Sequence, residues 1–169
     1  LEISESANNL KAEVDYLKQI SHPNLSNYYG SIPLEDSFML LSDYCDCGSL
    51  RQILDIRQQV LSEDQISIII KDVLTSLHFL HNNVQIIHRD IKGSNILLTK
   101  NGEVKVSDFD IYKLFDSQTS QAMTIVNTPY WIAPEVLSAL PYTFSSDIWS
   151  VGITTVELCE GAPPYAELS

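Results

Sequence analysis

Apolar residues recur along the chain at intervals that switch between helical and extended spacing, and each switch marks an element. Leu10, Val14 and Leu17 fall three and four residues apart, with Asn8 or Asn9 as a cap and His22-Pro23 as a stop, which predicts a first helix. Leu25–Tyr29 and Phe38–Ser42 read as extended stretches, followed by a turn at Cys47-Gly48-Ser49 and a short helix near Leu50–Arg57. Ser62 and Gln65 form a capping box ahead of Ile66, Ile69, Ile70, Val73, Leu74, Leu77 and Leu80, a wide apolar stripe that predicts a long helix. Ile96–Thr99 and Val104–Val106 flank Lys100-Asn101-Gly102, and the Asn-Gly pair suits the positive φ angles of a hairpin turn. A last helix is expected from about Ser145 to Glu160, closed by Gly161 and Pro163.

Composition narrows the classes. A length of 169 residues fits one domain, and 44% apolar content is enough for a packed core. Ten basic against 22 acidic residues give a net charge of −12, which opposes non-specific binding to nucleic acid or to an anionic membrane surface. Cys45, Cys47 and Cys159 form neither a C-x-x-C pair nor a Cys/His cluster, so a reducing, cytoplasmic setting without a disulfide framework or zinc site is expected. The apolar run around Ile66–Ile70 is broken by Ser67 and followed by Lys71 and Asp72, far short of a membrane span, and LEISESANNL lacks a basic-then-apolar leader. Trp131 and Trp149 are expected in the core, and Glu35-Asp36 and Glu63-Asp64 on solvated surface.

Candidate chemistry sits on either side of the hairpin. HRDIKGSN occupies 88–95 and SDFD 107–110, and a hairpin brings such flanks together. Asp90, Asn95 and Asp108 can therefore converge, and two carboxylates with an amide oxygen suit a hard cation such as Mg²⁺. Lys92 adds a positive charge able to neutralise a transferring phosphoryl group. Asp110 is the anomaly, because a sharp turn beside a polyphosphate normally uses glycine, which has no Cβ and no charge.

HRDIKGSN, DFD, TPYWIAPE at 128–135 and SDIWSVGIT at 146–154 resemble, in order and spacing, the motifs of a eukaryotic protein kinase. TPYWIAPE, HPNLSNYYGS at 22–31 and GAPPYAEL at 161–168 most resemble the STE20-like serine/threonine kinases, and the likeness covers nearly the whole chain. It implies an α+β, protein-kinase-like fold: the remainder of an N-lobe at 1–42, a hinge at 43–48 and the first part of a helical C-lobe at 49–169. It implies ATP and Mg²⁺ as cofactors and proteins with Ser/Thr hydroxyls as substrates, with an upstream kinase or scaffold as a further partner, and no nucleic acid or membrane insertion.

Carried over residue by residue, the resemblance makes Asp90 the acceptor of the substrate hydroxyl proton and Lys92 a contact to the γ-phosphate. Asn95 and Asp108 become the metal ligands. Glu13 matches the glutamate that pairs with a lysine of the third strand, Asp43 and Cys45 offer hinge backbone to adenine, Ser42 is the gatekeeper, and Leu97 joins the nucleotide-binding set. Leu17, His88 and Phe109 form a spine anchored by Asp147. Thr124 takes the phosphorylated position, Arg89 is its partner, and Thr128 bonds within the catalytic loop.

The chain departs from the family pattern in four places. Asp110 and Asn127 stand where glycine is usual, no G-x-G occurs anywhere, and the only lysine before Glu13 is Lys11. The expectation is an internal piece of a kinase domain, incomplete at both ends and inactive in isolation. A kinase-like interaction module without catalysis is the alternative.

Overall fold

A computed structural model describes residues 15–34, 38–109 and 129–168. Residues 15–17 are helical, the described end of the expected first helix, and Leu17 and Ile20 are buried beneath it. Strands β1 (Tyr28–Pro33) and β2 (Phe38–Ser42) pair antiparallel, with an irregular register between Tyr28 and Gly30. The first extended stretch thus lies further along the chain than Leu25–Tyr29. The cause is a competing partner: Ser26 donates its N–H to Val106 and Val106 donates to Asn24, which ties Leu25 to a different sheet and leaves only Tyr28 onward for β1.

Helix α1 (Leu50–Arg57) starts at Ser49, whose side chain caps Gln52 N while Gln52 returns the bond to the Ser49 N–H. Gly48, at φ +70°, makes the turn that precedes it. Helix α2 (Glu63–Phe79) has the predicted capping box of Ser62 and Gln65, and Glu63 and Asp64 in the first turn complement the positive end of the helix dipole. It runs into a π-helical turn, Leu80–Val84, that ends at Gln85 in the left-handed region.

The buried seam of α2 is Ile66, Ile69, Val73 and Leu77, continued by Leu80, while Ile70 is only partly covered. Each fully buried side chain of this size contributes about 1.5–3 kcal/mol. Leu74 is 41% exposed, so the stripe is narrower than its sequence pattern. Ile70 and Leu74 instead line an open groove of about 610 Å³ with Ser67, Lys71, Thr75 and His78.

Strands β3 (Ile96–Leu98) and β4 (Val104–Val106) form the predicted hairpin, with Ile96 opposite Val106 and Leu98 opposite Val104. Gly102 sits at φ +82° while Asn101 does not share the left-handed conformation, and Gly102 donates its N–H to the Thr99 carbonyl, so the connection is a three-residue turn ending in a left-handed glycine rather than a two-residue Asn-Gly turn. After the short helix α3 (Pro134–Leu137), helix α4 (Phe144–Glu160) is closed by Gly161 at φ +87°. Its buried stripe is mostly polar: Ser146, Asp147, Ser150, Thr154 and Glu157, with Val151 and Leu158. The opposite face carries Trp149, 46% exposed and therefore not a core aromatic, and Trp131 is half-buried.

Helix α4 packs on α2, α2 packs on β4, and the described residues form an α+β arrangement of helices with two small antiparallel sheets. Among the described residues no helix is long and apolar enough to cross a membrane.

Candidate active site

The polar cluster is built by continuing the hairpin one step past its strands. Ile96 faces Val106, so Asn95 meets Ser107, whose N–H donates to the Asn95 carbonyl at 2.9 Å and whose hydroxyl donates to the same oxygen at 3.2 Å. Asp108 follows directly, at φ +62°, with its carboxylate 3.5 Å from the Ser107 hydroxyl. On the other flank, Asn95 Nδ2 donates to both the backbone oxygen and Oδ2 of Asp90 at 2.8 Å. The Lys92 ammonium stands 2.9 Å from Asp90 Oδ2. Asp90, Lys92, Asn95 and Asp108 are thus brought together, as the sequence pattern anticipates.

The chain upstream of Asp90 is held from below by α4. Asp147 is 1% exposed; its Oδ2 accepts the N–H of His88 at 2.9 Å and its Oδ1 the N–H of Arg89 at 2.8 Å. The π-helical turn places His81 against the same carboxylate, Nε2 to Oδ2 at 2.7 Å, with the His81 ring stacked on Phe144.

His88 is fully buried, its Nδ1 accepts the Asp90 N–H at 3.3 Å, and its Nε2 lies 2.9 Å from the Ser107 carbonyl. One ring nitrogen accepting and the other donating is the pattern of a neutral imidazole, and burial pulls its pKa below the ordinary value. His88 is therefore a strut between the Asp90 loop and the segment that follows β4 rather than a base. Leu17 and Phe109 lie in the same buried core, Phe109 with its ring edge on Tyr28.

Electrostatics distinguish the acids. Partial burial raises the Asp108 pKa although the side chain still reaches solvent, and the charge of Asp90 raises it further against the opposing pulls of the Ser107 hydroxyl and the Lys92 charge. A cation beside Asp108 would relieve that cost. Among the described residues no group of three or more His, Cys, Asp or Glu side chains is placed to hold a metal, so the candidate donors for a hard ion are the Asp108 carboxylate and the Asn95 amide oxygen. The amide nitrogen of Asn95 is committed to Asp90, which leaves its oxygen for a cation. The set fits Mg²⁺, an ion that takes oxygen ligands and keeps several waters.

The segment 43–48 is laced to β3. Leu98 donates to the Gly48 carbonyl, Cys47 donates to the Leu98 carbonyl, and Leu97 forms a bridge with Ser49. Asp43 donates its N–H to Asn27, and its carboxylate accepts from the Asn27 N–H, the Asn27 amide and the Tyr29 hydroxyl, with Lys105 at 3.8 Å. Burial alone would raise its pKa, but these hydrogen bonds and the Lys105 charge outweigh it and leave it lowered. Burial, followed by the Asp43 charge, raises the Cys45 thiol, which is therefore not a reactive thiolate.

Arg89 lies at φ +73°, its guanidinium 5.6 Å over the Tyr142 ring and its Nε buried without a hydrogen-bond partner among the described residues. Glu13, Asp110, Thr124, Asn127 and Thr128 lie outside the described residues. Sequence reasoning passed over Asn27, Tyr29, Arg51, Tyr142 and Glu157. For Glu157 a signal existed: a single acid enclosed by Val156 and Leu158 in an otherwise apolar turn of α4.

A family model for the protein kinase domain matches residues 2–169. The chain belongs to the protein kinase domain family. It is 38% identical over 169 residues to the serine/threonine-protein kinase pakF of Dictyostelium discoideum, covering 99% of this chain and 14% of that protein. It is 36% identical over 162 residues to serine/threonine-protein kinase 4 homolog A of the same organism, covering 96% and 35%. It is 42% identical over 159 residues to cell division control protein 7 of Schizosaccharomyces pombe, covering 94% of this chain and 15% of that protein. This kinase-domain chain thus spans about a third or less of the length of these relatives.

Proposed function

We propose that the protein carrying this chain is a serine/threonine protein kinase of the STE20-like group, acting in the cytoplasm on protein substrates. The single observation that carries the reading is the cluster in which Asn95 and Lys92 both engage Asp90 while Ser107 joins Asn95 to Asp108. Residues 1–42 would belong to the N-lobe, 43–48 to the hinge and 49–169 to the C-lobe. Adenine would meet the hinge backbone at Asp43 and Cys45 with Leu97 nearby, and Glu13 would serve the phosphates through its lysine partner.

The substrate hydroxyl gives its proton to Asp90 as its oxygen bonds to the γ-phosphorus of ATP and the bond from that phosphorus to the β,γ-bridging oxygen breaks, releasing ADP. Asn95 and Lys92 orient the Asp90 carboxylate, and the Lys92 ammonium offsets charge on the transferring group. Mg²⁺, held by Asn95 and Asp108, would shield the phosphate oxygens.

The test is phosphoryl transfer to a Ser- and Thr-containing protein substrate by the full-length protein. Asp90→Asn is expected to cut kcat by about 10²–10⁴-fold, the usual contribution of a general base. Undiminished transfer in that variant, or none in the wild type with Mg²⁺·ATP, would remove the reading.

A further inference from the structure

A second buried carboxylate of α4 grips the catalytic loop at a point where the Asp147 contacts end. Glu157 is 1% exposed, and its Oε2 accepts the N–H of Gly93 at 2.9 Å and the indole N–H of Trp131 at 3.1 Å. The Arg51 guanidinium approaches Oε1 at 3.7 Å, and Arg51 is itself fixed by hydrogen bonds to Asp55 and to the Gly161 carbonyl. One side chain therefore joins α1, α4, the turn after Lys92 and the aromatic pair Tyr130-Trp131.

An ionised carboxylate in such a place is costly unless its charge and lone pairs are met, and removing the acceptor leaves the buried Gly93 N–H and the part-buried Trp131 indole N–H without it. The fit around Gly93 is equally tight. A Cβ at that position would stand 2.8 Å from Glu157 Oε1 and 3.0 Å from its Cδ, closer than side chains approach one another. A side chain at position 93 would therefore force the Glu157 carboxylate out of its present position.

Asp147 holds His88 and Arg89, on the near side of Asp90. Glu157 holds Gly93, on the far side and next to Lys92. Between the two anchors lie Asp90, Ile91 and Lys92, with Ile91 buried and its carbonyl accepting from Thr154 of the same helix. We infer that Glu157 is a positioning residue for phosphoryl transfer: its carboxylate fixes the Lys92–Gly93 turn, and with it the Lys92–Asp90 pair, while tying the turn to Trp131. The kinetic part of this inference rests on the kinase reading. The structural part does not.

The experiment compares Glu157→Leu and Glu157→Gln in the full-length protein by amide hydrogen exchange and by steady-state kinetics. In the leucine variant exchange at Gly93 is expected to rise at least tenfold while His88 and Arg89, held by Asp147, keep their protection. Its kcat is expected to fall about tenfold with the KM for ATP within twofold. Glutamine, which keeps an acceptor oxygen, is expected to restore Gly93 protection and most of kcat. Unchanged Gly93 exchange in the leucine variant would overturn the inference. So would equal loosening of His88, Arg89 and Gly93, or a glutamine variant no better than leucine.

If the leucine variant does not fold, Gly93→Ala serves: it is expected to lose about tenfold in kcat and to recover when the shorter Glu157→Asp is added, and no recovery would overturn the inference. A wild type without transfer defeats the kinase reading alone, since Gly93 exchange still decides the anchoring.

Discussion

Asp147 holds Arg89 in a left-handed backbone conformation, its Oδ1 accepting the Arg89 N–H at 2.8 Å with φ at +73°. For a residue with a Cβ that conformation costs about 1–2 kcal/mol. The same carboxylate takes the His88 N–H and His81 Nε2, so one side chain of α4 compensates the strain and aims the chain toward Asp90.

Asp147→Asn turns one acceptor oxygen into a donor facing a backbone N–H that already donates. The expected loss is about 3 kcal/mol, the scale for breaking a buried hydrogen-bonded charge. Urea unfolding checks it, and a change below about 1 kcal/mol would mean that the backbone at Arg89 does not depend on Asp147.

Asp108 is expected to trade stability for chemistry. Its folded-state pKa is raised above the ordinary 3.8, so the folded chain binds a proton more tightly than the unfolded one, and stability falls as pH rises from 3.8 through the raised value. Asp108→Asn should therefore have the higher Tm at pH 7, with the gain disappearing below pH 3.8. Millimolar Mg²⁺ should raise the Tm of the wild type only. In the full-length protein the same variant should abolish transfer, whereas Asp110→Gly, which removes a neighbouring acid, should raise kcat or ATP affinity.

Asp43 has the opposite sign. Its folded pKa lies below 3.8, so its contribution is fully present above that value and is lost as pH falls through the lowered one. Asp43→Ala leaves the part-buried Asn27 N–H and Asn27 amide without their acceptor, for an expected loss of about 1–3 kcal/mol at pH 7. The gap between wild type and variant, followed by urea unfolding at several pH values, should be flat near neutrality and close in acid.

Arg89 presents a buried Nε without a hydrogen-bond partner among the described residues, and its guanidinium rests over Tyr142. A phosphate on Thr124 would supply charge-assisted acceptors for that guanidinium. In the full-length protein Thr124→Ala is expected to lower kcat several-fold, and Arg89→Ala to make activity indifferent to phosphorylation. Full activity in Thr124→Ala, measured by transfer to a protein substrate, would count against this assignment.

Local rules were legible in the sequence because they need only near neighbours. The Ser62/Gln65 box, the hairpin turn with its left-handed Gly102 and the glycine end at Gly161 each follow from contacts within a few residues, and all three are present. The pairing of Asn95 with Ser107 followed too, since a hairpin fixes what meets beyond its strands. Tertiary structure alone decided the rest. Leu25 was drawn to Val106 instead of starting β1, Leu74 and Trp149 were left exposed, and the acids of α4 found partners 58–66 residues away in sequence. A periodicity tells which residues share a face of a helix, but which face is buried, and whether an acid on it finds N–H donors, depends on the elements that pack against it.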